Sequence, residues 1–146
     1  MEIQAVTYLD DPSFIMKERI SRFILDNTCE NDLGYEVVWR SVEYALSMSR
    51  NQGGFILLAR EDCDITGALV INRTSMEDYI PANILIHLVI GPHVEKSETG
   101  QKLLGKAIDI TKGNIAVRLN KDHPDLSLYE FMGFREKYIE YQLQKS

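Results

Sequence analysis

The sequence predicts an α/β domain in which helices cover both faces of one mixed sheet, in the order βααβββαβαβ. Three observations lead there. Strand-like and helix-like apolar periods alternate along all 146 residues, with no linker, low-complexity tract or internal repeat between them. Two strand segments, 55–59 and 84–90, are continuous apolar runs of the kind found where both faces of a strand are covered. The composition, 45% hydrophobic and 26% charged, is that of an ordinary globular chain. A chain of this length buries roughly two-thirds of its unfolded surface, so residues 1–146 are read as one domain.

Residues 1–9 alternate Ile3, Ala5 and Thr7 against Gln4, Val6 and Tyr8, a strand that stops at the turn signal Asp10-Asp11-Pro12. Asp11 reads as an N-cap and Pro12 as the first helical residue. Met16, Ile20, Phe23 and Ile24 then repeat at i, i+4, i+7 and i+8, carrying a first helix to Asn27. After the polar stretch 28–34, Val38, Val42, Ala45 and Leu46 keep helical spacing up to Ser49, where Asn51-Gln52-Gly53-Gly54 ends the second helix. Phe55-Ile56-Leu57-Leu58-Ala59 and residues 65–71, joined by the polar turn 61–64, predict an antiparallel hairpin.

Ile84-Leu85-Ile86-His87-Leu88-Val89-Ile90 is the most apolar strand and is assigned to the sheet centre. It stops at Gly91-Pro92. A polar stretch, 93–99, precedes a helix over 100–112 with the stripe Leu103, Leu104, Ala107 and Ile108, closed by Gly113. Residues 115–119 give a fifth strand. Asp122 caps a short helix over 126–132 with Pro124 in its first turn, Gly133 ends it, and 134–143 reads as a last strand.

The formal charge of −6 and the sequence pI near 5.1 lack the basic footprint of phosphate-backbone binding, which argues against nucleic acid. No basic-then-apolar leader opens the chain, and the 84–90 run is too short to span a bilayer, which argues against secretion and the membrane. Cys29 and Cys63 form no CxxC, and with only His87, His93 and His123 the spacing matches no zinc signature. The expectation is two free thiols, no metal and a reducing cytoplasm.

The segment from Leu88 through Gly91-Pro92 to Gly100 and Leu103-Leu104 resembles the acetyl-CoA signature of the Gcn5-related N-acetyltransferases (GNAT). In that family a strand ending in a Val-x-Pro-like corner leads to an Arg/Gln-x-x-Gly-x-Gly/Ala loop and a helix. Leu128-Tyr129-Glu130-Phe131-Met132-Gly133-Phe134 is similar to the family's Leu-Tyr-x-x-x-Gly-Phe, and Ile65-Thr66-Gly67 to its Ile-Val-Gly. Together with the element order, the resemblance spans essentially the whole chain and implies a mostly antiparallel sheet and an acyl-CoA-dependent N-acyltransferase.

The resemblance implies that acetyl-CoA, the acyl donor, is held by Leu88, Val89 and Ile90 along the strand, by Glu95, Lys96, Ser97, Glu98, Thr99, Gly100, Gln101 and Lys102 in the loop, and by Asp122, Leu126 and Tyr129. The physics is that a helix N-terminus offers unpaired N–H groups and the positive end of its dipole to a pyrophosphate. Gly100 admits close backbone approach. Three positions depart from the family: Glu95 stands where it has Arg or Gln, Glu98 where it has Gly, and Asp122 where it often has Asn. At a separation of about 5 Å each carboxylate opposes a phosphate charge by roughly 1 kcal/mol in a water-like medium and roughly 3 at an effective dielectric near 20.

Tyr129 is the implied general acid toward the departing thiolate, a phenol of pKa about 10 facing a thiol of about 8.5. His87 is the candidate base. It lies one residue off the strand positions, Ile84 and Ile86, that supply a base in some members, and a bulge would restore the parity. Water, or a loop Glu, is the alternative base. The acceptor is an amine, unidentified, with Glu30, Asp32, Glu36, Glu77 and Asp78 as an acidic rim that attracts cations. Tyr35, Trp39 and Tyr44 are read as helix-packing residues.

The leading expectation is acetyl transfer to a primary amine by direct attack in a ternary complex. The alternative is a catalytically degenerate relative serving as a CoA-binding or protein-interaction module. The weakest is an unrelated α/β domain. Only residues 135–146 follow Phe134, room for one strand where many members have two, so a second copy completing the sheet edge as a homodimer is the implied assembly.

Overall fold

The computed structural model describes residues 1–30, 33–76 and 80–145. The elements are β1 (Glu2–Val6), α1 (Phe14–Asn27), α2 (Tyr35–Ala45), β2 (Gly54–Glu61), β3 (Asp64–Arg73), β4 (Asn83–Ile90), α3 (Lys96–Ile110), β5 (Ile115–Val117) and α4 (Leu126–Phe131), with a one-turn 3-10 helix at Tyr8–Asp10. The five strands lie in sequence order. β1 to β4 are antiparallel neighbours and β5 joins β4 in parallel. The middle strand is therefore β3, whereas the apolar run of β4 had placed β4 there.

Alternate residues of the sheet feed two cores. On one face Val6, Ile56, Leu58, Ala68, Val70 and Val89 meet Ile20 and Ile24 of α1 and Val38 and Val42 of α2. On the other, Leu57, Leu69, Ile71 and Leu85 meet Leu103, Leu104 and Ala107 of α3. Each fully buried Ile or Leu contributes about 1.5–3 kcal/mol of transfer free energy, so sealing both faces is what makes the buried middle of β2 and β3 apolar, 55–59 and 68–71.

The sequence misplaces several boundaries. Ser13, not Asp11, caps α1 by accepting from the Met16 N–H; Asp11 instead closes the 3-10 turn at φ 47°. α2 stops at Ala45. α3 begins at Lys96, four residues before Gly100, because Glu95 is its N-cap. Asp122 does not cap α4, whose N-cap is Asp125 with no side-chain bond. The predicted strand over 134–143 does not form: the stretch lies outside the sheet, and after Phe134 its residues are exposed. A strand needs a neighbour, and periodicity within a segment cannot tell whether one is present.

Candidate active site

β4 pairs with β5 only at Asn83↔Ile115, Ile84↔Ala116 and Leu85↔Val117, yet β4 continues to Ile90. Beyond Leu85 the two strands part. Asn83 anchors the closed end, its side-chain amide donating to the carbonyls of Lys112 (2.7 Å) and Asn114 (3.2 Å). The open end is a cleft of about 540 Å³. Its wall is the β4 edge over 86–90, whose backbone groups on that side have no strand partner. Unpaired backbone N–H and C=O groups seek partners, so this edge suits a ligand that carries amides.

Four elements converge on the cleft: residues 27–30 after α1, the β4 edge, the first turns of α3, and α4 with the loop before it. Of the residues assigned from sequence, Leu88, Val89, Ile90, Lys96, Ser97, Gln101, Tyr129 and His87 are brought together along it. Glu95, Glu98, Thr99, Gly100, Lys102, Asp122 and Leu126 do not line it. A larger concavity of about 840 Å³ lies at the other end of the sheet, by the β2–β3 turn. It mixes Arg19, Arg22 and Arg60 with Glu18, Glu61, Asp62 and Asp64, leaving no single sign of charge to select a ligand.

The Leu-Tyr-x-x-x-Gly-Phe run is a helix end with a stated job for each residue. Gly133 adopts φ 103°, its N–H donating to the Glu130 carbonyl (3.1 Å), while the Phe134 N–H reaches back to Tyr129 O (3.0 Å). This paired closure wants glycine at the left-handed position and an apolar contact across it. Phe134 supplies that contact, edge-on to the Tyr129 ring at 5.4 Å. Tyr129 is thereby fixed, 3% exposed, against the α3 core. Burial first, and then the negative charges of Asp125 and Cys29, push its phenol above the ordinary tyrosine range.

The N-terminus of α3 holds an anion of its own. Glu95 Oε1 accepts from the Ser97 N–H (3.1 Å) and Oε2 from the Glu98 N–H (2.5 Å). Those are the two amides that a bound phosphate would want. Glu98 turns away to pair with Lys102 at 3.0 Å. Lys96 and Ser97 remain on the cleft side. Gly100 lies in the second turn, where a Cβ would come within 2.8 Å of Leu128 Cδ2. The glycine therefore serves the close packing of α3 on α4.

His87 is 7% exposed, its Nε2 3.1 Å from Ser41 Oγ on α2. Ser41 spends its proton on the Val38 carbonyl (2.7 Å), so the imidazole donates and Nε2 carries the hydrogen. Burial lowers its pKa to about 4. The register skips Ile86 between His87 and Leu85, a bulge of the kind anticipated. It leaves His87 bonded to α2, while Ile86 lines the cleft. Trp39 packs on Phe14 and Tyr35, and the Tyr44 hydroxyl donates to Arg73 O (2.7 Å), so these aromatics brace helices as expected. Glu30 lines the cleft, Glu36 pairs with Arg40, and Asp32, Glu77 and Asp78 lie outside the described residues.

Sequence reasoning missed two residues of the cleft. Cys29 and His123, 94 positions apart, meet there with Sγ and Nε2 separated by 3.7 Å. No local pattern announces such a pair.

No protein-family model matches the chain, and no curated protein matches it in sequence. Solved structures do. An aminoglycoside antibiotic 6'-N-acetyltransferase from Acinetobacter haemolyticus superposes with TM-score 0.70 at 14% identity, over 100% of this chain and 99% of that one. An aminoglycoside N-acetyltransferase in complex with CoA gives TM-score 0.70 at 11% identity, over 99% and 93%. The chain has the Gcn5-related N-acetyltransferase fold. A structure named as a transcriptional regulator from Bacillus halodurans C-125 matches it too, with TM-score 0.65 at 16% identity over 99% and 100%. Within the GNAT fold, the parting of β4 and β5 with a tyrosine on α4 is the feature through which the two sequence motifs meet in space.

Proposed function

We propose that the protein is an acyl-CoA-dependent N-acyltransferase that transfers acetyl from acetyl-CoA to a primary amine by direct attack in a ternary complex. The observation that carries this reading is the cleft between β4 and β5, lined by unpaired strand edge and by Tyr129. The residues fit the donor: the free edge around Leu88 and Ile90 matches the amides of a pantetheine arm, and Lys96 with the first turn of α3 faces its phosphates. Acetyl-CoA supplies an activated thioester carbonyl. The main chain of β4 polarises that carbonyl, and Tyr129 places its hydroxyl toward the leaving sulfur. A phenol raised above its ordinary range stays protonated at every physiological pH, so it serves as a hydrogen-bond and proton donor.

His87 does not stand ready as a base. A histidine of pKa about 4 that donates to Ser41 is a weak acceptor for an ammonium proton, which leaves water or a loop carboxylate such as Glu30. Glu30 and Asp125 at the cleft favour a cationic amine, and the neighbours named as aminoglycoside acetyltransferases make amino sugars the first class to screen. Calorimetric titration with acetyl-CoA and with CoA tests the reading: saturable micromolar binding is expected, followed by CoA release when amines are added. No binding up to millimolar ligand would overturn it. One observation favours a second reading, a protein of this fold that binds partners without catalysis: Glu95 already fills the two amides of the phosphate site.

A further inference from the structure

Cys29 and His123 form a thiol–imidazole pair inside the cleft. Cys29 follows α1, in a turn where the Glu30 N–H donates to Thr28 Oγ1 (3.2 Å). His123 precedes α4, where its Nδ1 accepts the Asp125 N–H at 3.0 Å. That bond decides the tautomer: in the neutral imidazole the hydrogen sits on Nε2, directed at Cys29 Sγ 3.7 Å away. That N–H is the hydrogen-bond donor facing the sulfur, and it holds the thiol at the cleft wall. Among the described residues no group of three or more His, Cys, Asp or Glu could hold a metal, so the pair is not part of such a site. The chain's other thiol, Cys63, is equally exposed, has no histidine partner and lines the opposite concavity.

The geometry points to Cys29 as a self-acylation site, a second acceptor beside the direct route to the amine, which takes the acyl group from a thioester bound in the cleft when no amine is present, with His123 as its positioning residue. This rests on the donor reading given above. The Cys29 sulfur forms a bond to the acyl carbon, the bond from that carbon to the CoA sulfur breaks, and the Cys29 proton ends on the departing CoA thiol. One thioester replaces another, so no oxidant or reductant is needed. Cys29 and Tyr129 line the same cleft, which puts the thiol on the same cavity as the group assigned to the leaving sulfur. An S-acyl Cys29 would also change the lining of the acceptor side, where Glu30 stands.

The test incubates the full chain with acetyl-CoA and no amine, reads its intact mass, and measures acetyl-CoA binding by calorimetry in parallel. The expected result is one acetyl group, released by neutral hydroxylamine, lost in Cys29→Ser and kept in Cys63→Ser. His123→Asn should slow acylation at saturating acetyl-CoA about tenfold, the loss of its hydrogen bond to the sulfur. Saturable binding without modification, or an adduct that survives in Cys29→Ser, would overturn the proposal while leaving the donor reading intact. N,S-diacetylcysteamine, a small thioester without phosphates, separates the two in the other direction. Its selective transfer to Cys29 over Cys63 in a protein that binds no CoA would support the cysteine and sink the CoA cleft; no transfer from either donor in a protein that also binds no CoA would sink both.

Discussion

Three side chains in or beside the cleft each make a measurable claim. Tyr129 has no hydrogen-bond partner for its hydroxyl among the described residues, so Tyr129→Phe removes a donor without disturbing the packing of the ring on Phe134. Turnover should fall by about a hundredfold, the usual scale of a lost general acid, at unchanged CoA affinity in calorimetry. Unaltered turnover removes Tyr129 from the mechanism. Glu95 uses its carboxylate on the first amides of α3. Glu95→Ala should lower unfolding free energy by about 1 kcal/mol, as lost caps do, and strengthen CoA binding about fivefold to a hundredfold by removing the competing charge. Weaker CoA binding in that variant would contradict the placement of phosphates at α3. His87 is held neutral, with a folded pKa near 4 against 6.5 in the unfolded chain. Between those values the unfolded state binds the extra proton, so the native state loses about 3 kcal/mol as pH falls from 6.5 through 4. Denaturant titrations across that window should show a shallower loss in His87→Gln, and the pH–rate profile of that variant should keep its shape because His87 is not the base.

At the scale of elements, what was legible in the sequence is what local periodicity encodes. The stripes of α1 and α2, the β2–β3 hairpin and the apolar β4 all follow from residues spaced 2, 3 or 4 apart, whereas Tyr129 is singled out by the resemblance of Leu-Tyr-x-x-x-Gly-Phe to the GNAT motif. Features settled by distant partners were not legible. The start of α3 was hidden because a glutamate took the capping role usually given to Ser, Thr or Asp, and the bond of His87 to Ser41 spans 46 positions. Cys29 and His123 required the whole fold to meet. The two glycines of the motif regions distinguish two kinds of constraint. Gly133→Ala forces a left-handed φ of 103° on a residue with a Cβ, costing about 1–2 kcal/mol and loosening the turn that fixes Tyr129. Gly100→Ala meets only the movable end of Leu128, so a smaller drop in Tm is expected. A thermal melt in which Gly100→Ala proved the more damaging would mean that α3 and α4 cannot shift against one another.

At the scale of the molecule, the unpaired C-terminal stretch is the largest departure from a self-contained fold. Tyr138, Ile139, Tyr141 and Leu143 are 76%, 77%, 92% and 86% exposed, in a run whose composition favours strand. The ion pair of Glu140 with Arg118 holds this tail near the end of β5, itself a three-residue strand at the sheet edge. An apolar extended segment and a short unprotected edge in one chain are complementary, and a two-fold pair of copies satisfies both at once, each tail adding to the other's sheet. The expected species in sedimentation velocity is therefore a dimer, and a chain truncated after Arg135 should run as a monomer with β1 to β4 intact by circular dichroism. Because Arg118 lines the cleft, the truncation should also alter the apparent affinity for CoA. A full-length monomer at concentrations well above those of the binding assays would overturn the exchanged-tail dimer, because Tyr138, Ile139, Tyr141 and Leu143 would then stay as exposed as they are in the single chain.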